Sequence, residues 1–119
     1  MYRFKVLTLL FFLVVTACGT PYRPIPAGTY YPESGDERIV VVPTRIYFHV
    51  NVDKQKPDVI GSREYPYEVL PDGSIYFVVS SNSTFGLRLA MDYEWVWRDG
   101  KIVKIDLETG KQTLFAPRE

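Results

Sequence analysis

The chain has 119 residues, 14 Lys and Arg against 14 Asp and Glu, and one cysteine. That length is a single domain. The balanced charge excludes the basic field that a nucleic-acid binder needs, and one thiol excludes an internal disulfide.

In chain order, Arg3 and Lys5 come first. An apolar run from Val6 to Val15 follows, broken only by Thr8, and the segment ends Val15-Thr16-Ala17-Cys18. The run is too short to cross a bilayer, which takes about 20 apolar residues. Basic residues at its start and small residues at its end mark a cleaved leader, not a core helix. This segment resembles the lipobox of a bacterial lipoprotein precursor. The resemblance implies a leader over 1–17 and a mature chain beginning at Cys18, with a covalent lipid on that cysteine and no other cofactor. A thiolate is the nucleophile such acylation needs, and the small Ala17 admits the peptidase. Lipidation also disposes of a thiol that would otherwise stand unpaired in an oxidising compartment. In Gram-negative members an aspartate after the cysteine favours inner-membrane retention. Gly19 stands there in this chain, which by this resemblance implies an outer-membrane anchor with the domain facing the periplasm.

Residues 18–27 contain Pro21, Pro24 and Pro26 and read as a stiff tether. The β domain is expected over 28–119. Loss of the leader removes Arg3 and Lys5 and leaves a slight acidic excess, so no nucleic-acid partner is expected.

From Gly28 on, short β-rich runs alternate with turn signals, and no helical period lasts three turns. Over 44–52, Ile46, Phe48, Val50 and Val52 fall on one face, with Arg45, Tyr47, His49 and Asn51 on the other. Strands are expected over 38–42, 44–52, 64–70, 74–80, 86–97, 101–107 and 112–116. Three turns carry a glycine after Asp72, Asp99 and Thr109. A three-residue loop ending in glycine and a two-residue Asp-Gly loop both fit these turns. Around Asp99 the three-residue loop sets Trp95 against Val103 and Glu94 against Lys104, which segregates apolar from polar residues and is preferred. The same rule sets Val69 against Ile75, Tyr67 against Phe77, Ile105 against Thr113 and Val103 against Phe115. It also sets Asp92 against Asp106, a like-charge pair that calls for an end to the ladder, neutralisation by Arg88, or a bound cation.

The expected fold is all-β: a small antiparallel meander of six to seven strands, closed into a barrel or strongly curled sheet and lipocalin-like in architecture. Its expected core is Ile46, Phe48, Val50, Val69, Ile75, Phe77, Leu89, Met91, Tyr93, Trp95, Val103, Ile105 and Phe115.

Aromatic residues make up 15% of the chain. Tyr93, Trp95 and Trp97 form a stripe beside Tyr65 and Tyr67. The five are either core rings or the lining of a site for an apolar or sugar ligand. His49, the single histidine, falls on a polar face with no cysteine or second histidine to complete a metal set. No nucleophile elbow, phosphate loop or paired-cysteine motif is present, so no catalytic residue, enzyme activity or metal is expected. The expected function is that of a lipid-anchored module that binds an envelope protein or a small ligand. A second expectation is an inhibitor or accessory subunit of an envelope enzyme or secretion machine, inserting Tyr31–Glu37 or Ser80–Phe85 into its partner.

Overall fold

Period-two alternation of apolar residues organises the strands of the computed structural model, which describes residues 25–79 and 82–118. The expected leader, Cys18 and most of the Pro-rich segment lie outside the described residues. The elements are β1 (Gly28–Tyr31), β2 (Arg38–Val42), β3 (Arg45–Val50), β4 (Gly61–Val69), β5 (Ile75–Phe77), α1 (Thr84–Met91), β6 (Tyr93–Arg98), β7 (Lys101–Asp106) and β8 (Gln112–Pro117). The fold is all-β, as its alternation predicts, with β1 added to the expected strands.

All eight strands join one antiparallel sheet in the order β5-β4-β3-β2-β1-β8-β7-β6. A bridge between Ser74 and Val96 draws its two ends together, and the Trp97 N–H donates to the Gly73 carbonyl at 2.8 Å. The result is a nearly closed barrel, which leaves little free strand edge. Gly73 makes the seam possible. Its φ is 94°, and a Cβ there would stand 2.9 Å from the Trp97 carbonyl oxygen.

Large rings fill the interior. Phe48 lies 4.8 Å from Trp95 and 5.0 Å from Phe77, centroid to centroid, and Tyr65 lies 5.4 Å from Phe77. Ile25, expected as tether, packs against this core, and Pro26 beside it is exposed but tied down through its carbonyl. Ile25 is buried and its N–H donates to the Tyr67 hydroxyl at 2.9 Å, while the Tyr30 hydroxyl donates to the Pro26 carbonyl at 2.7 Å.

The segment 86–97, expected as one strand, is a helix followed by a strand. Ser83 caps α1 by accepting the Gly86 N–H at 3.0 Å, and Leu89 turns into the core. Residues 85–91 contain no β-branched side chain, which suits helix. The helix is only eight residues long, too short for a three-turn pattern to reveal it. Met91 is at its end and 68% exposed, not core.

The expected register of β4 with β5 holds: Val69 faces Ile75 and Tyr67 faces Phe77. That of β7 does not. Trp95 faces Lys104, Val96 faces Val103, and Glu94 faces Ile105. Asp99 (φ 53°) and Gly100 (φ 78°) form a two-residue turn with both φ positive. That geometry follows the right-handed twist of the strands, whereas the apolar count favoured the longer loop. On the other side Val103 faces Leu114 and Lys104 faces Thr113. Here the Asp106 carboxylate shapes a longer turn by accepting the N–H groups of Glu108 and Thr109 at 2.8 and 3.1 Å. Both slips are by one residue, so β6 and β8 keep their expected faces and β7 turns over. Ile102, Lys104 and Asp106 point inward. Val103 is buried on the outer wall between Val96 and Leu114, and Ile105 is half-buried there. Asp106 faces Tyr93, so Asp92 and Asp106 do not form the expected cross-strand pair.

Candidate functional site

Antiparallel neighbours place successive connections at alternate ends of the barrel. One end has the tight turns at 43–44, 70–74 and 99–100, and there the described chain begins at Ile25. The other end, the mouth, has the connections 32–37, 51–60, 78–92 (which includes α1) and 107–111. A cavity of about 560 Å³ opens in the mouth. Its walls come from Asp36 and Glu37, from Asn51, Pro57 and Asp58, and from Asp106, Lys111 and Thr113, with Tyr93 and Lys104 inside.

Asn51 builds one wall. Its side-chain amide donates to the carbonyls of Asp53, Lys56 and Val59 at 3.2, 2.8 and 2.7 Å and so pins the 51–60 loop. Its backbone N–H donates to Glu37 Oε2 at 2.7 Å and ties that loop to the 32–37 loop. Arg88 of α1 meets Asp53 at 3.2 Å and holds the helix against the same loop.

Besides Arg88–Asp53, two lysines make ion pairs in the mouth. Lys104 Nζ donates to Glu37 Oε2 at 3.0 Å and to the Asn51 carbonyl at 2.8 Å, and stands 4.7 Å from the centre of the Tyr93 ring. The two side chains are 10% and 19% exposed. Lys54 Nζ donates to Asp106 Oδ1 at 2.9 Å and to Glu108 Oε1 at 3.1 Å. That contact holds the Asp106 carboxyl below its ordinary range, and the two carboxylates hold the Lys54 ammonium well above its own. Burial pushes the Tyr93 hydroxyl up.

The five expected site residues all face inward. Tyr65, Tyr67, Tyr93 and Trp95 are buried, and Trp97 is partly buried against the same core. The Trp95 indole donates to the Leu89 carbonyl at 2.8 Å, and Trp97 meets Tyr30 edge-on at 5.9 Å. Of the five, Tyr93 alone lines the mouth cavity. The expected Glu94–Lys104 pairing is replaced by Lys104–Glu37. His49 lies on the outer wall, its Nδ1 2.7 Å from Ser62 Oγ and its ring parallel to that of Tyr47. No grouping of three or more metal-ligating side chains occurs among the described residues. Sequence reasoning named Glu37, Asn51, Lys104 and Asp106 separately but did not bring them together at one site. A lysine and an aspartate two apart on β7 were the available signal, since they share whichever face the register chooses.

No family model, curated protein or solved structure matches the chain.

Proposed function

We propose that the chain is the precursor of a lipid-anchored envelope lipoprotein, and that its β domain is a non-enzymatic binding module with the mouth cavity as its site. The observation that carries the site is the Lys104–Glu37 pair at the cavity's inner end. Burying two charges costs free energy that an apolar pair would not. Tyr, Trp, Phe and aliphatic side chains fill the rest of the core, so the charges stand out as a local departure from a consistent β core. The cavity also falls in the size range of small-ligand sites.

The lipobox ending at Cys18 carries the anchor, with the outer membrane as its place by the same resemblance. The barrel supports that reading. The described chain begins at Ile25, at the tight-turn end, so an anchor at Cys18 lies closer along the chain to that end than to the mouth, which supports a mouth facing the periplasm. No described helix is long and apolar enough to cross a membrane. Cys18→Ser is therefore expected to leave the chain without acyl groups and to move it from the membrane pellet to the soluble fraction. Continued pelleting with labelled palmitate incorporated overturns the anchor.

The site is tested on the full chain purified from its own membranes, by native mass spectrometry of wild type and Thr113→Trp. The indole enters the cavity from β8, at the position paired directly beside Lys104 on β7. A bound small molecule in the wild type that is lost in the variant is expected. One retained in the variant places binding elsewhere.

A further inference from the structure

We propose that the mouth cavity takes an organic cation, an ammonium or guanidinium group carried on a short chain. This rests on the mouth being the binding site and adds the ligand's chemistry. The argument is an account of donors and acceptors. Lys104 has three N–H groups, and its Nζ is engaged by Glu37 Oε2, the Asn51 carbonyl and the face of Tyr93. Lys54 Nζ is engaged by Asp106 and Glu108 and lies 5.6 Å from the same ring. The Lys104 ammonium is therefore spent, and Lys54 has two of its three N–H groups committed.

Their carboxylate partners are not spent. Glu37 receives the Asn51 N–H and Lys104 on Oε2, and Asp106 receives Lys54, Glu108 N–H and Thr109 N–H on Oδ1. Among the described residues nothing donates to Glu37 Oε1 or to Asp106 Oδ2. Among the cavity-lining residues described, Asp36 and Asp58 make no ion pair, against one such lysine, Lys111, with Lys56 also without an ion pair on the adjoining 51–60 loop. A ligand that brings N–H donors and positive charge matches these open acceptors and the acidic rim.

Among the described residues no three metal-ligating side chains come together, so the arrangement suits separated N–H groups on a chain more than a single hard cation, which needs six or more oxygens around one point.

The test uses three probes with one five-carbon scaffold: 1,5-diaminopentane, 1,5-pentanediol and glutarate. Each is titrated calorimetrically into the full lipidated chain in uncharged detergent micelles, with empty micelles as the blank. Three proteins are compared: wild type, the double variant Asp36→Asn/Asp58→Asn, and Thr113→Trp. The diamine is expected to bind wild type at least tenfold tighter than the diol or the diacid. The double rim variant is expected to weaken it about tenfold, and Thr113→Trp to abolish it. Diol or diacid binding as tight as the diamine, and lost in Thr113→Trp, overturns the cation and leaves the mouth as the site. Diamine binding that survives Thr113→Trp is pairing with surface carboxylates and overturns both readings. No heat from any probe overturns the cation proposal, while the mass measurement above still decides the site.

Discussion

Phe48→Ala is expected to lower the unfolding free energy by about 3–5 kcal/mol, the usual range for deleting a fully buried ring. Phe48 has no exposed surface and sits midway along β3, the strand between β2 and β4. Its ring touches the barrel on two sides, with Tyr65 and Phe77 from β4 and β5 and Trp95 from β6. Those neighbours are rigid, and Trp95 is further fixed by its hydrogen bond to Leu89. They cannot collapse into the space, so the cavity cost stays close to its full value. A domain of about 100 residues has a total stability of about 5–15 kcal/mol, so this one change consumes a large part of it. Urea unfolding followed by tryptophan fluorescence measures it, because the altered contact is with an indole. A loss below about 2 kcal/mol would mean that the wall closes in, and that the interior is not the filled ring stack described above. Phe48→Leu keeps most of the volume and should cost less than about 1.5 kcal/mol.

The second large effect is electrostatic. Glu37→Leu leaves the Lys104 ammonium in the mouth with the Asn51 carbonyl and a ring face, and it removes the acceptor of the Asn51 N–H. Breaking a buried pair by deleting one partner costs about 3–5 kcal/mol. The lower end is expected here, because the Glu37 side chain is 19% exposed and water reaches it from the cavity. Glu37→Leu combined with Lys104→Met should recover most of the loss, since both charges then leave together. Equilibrium unfolding of the two single variants and the double variant gives the coupling directly. Single-variant losses that simply add in the double variant would show that the two side chains do not act as a pair.

Several strands were readable because only one alternation fits them. Ile46, Phe48 and Val50 have Tyr47 and His49 between them, and their inward placement follows with no knowledge of the neighbours. Pro71-Asp72-Gly73 sets the register of β4 and β5 by itself, because the flanking apolar residues agree with the turn. The aromatic stripe was readable as inward, though not as core or lining. Position along the barrel decides that. Trp95 sits deep among other rings, while Tyr93, two residues closer to the mouth, reaches the cavity wall.

Composition and local pattern determined the all-β class, the antiparallel meander and most of the inward set, because side-chain period and turn chemistry act over a few residues. Only the tertiary structure decided the face of β7. Ile102 and Val103 are adjacent and both apolar, so either face has an apolar claim. The balance lies with groups far away in the chain: Glu37, 67 residues from Lys104, and Lys54, 52 residues from Asp106. Inward charges are tolerable only with such partners, and closing the sheet is what brings them within reach. The candidate site exists for the same reason. It is made where three separate connections meet at one end of the barrel, so no single stretch of sequence contains it.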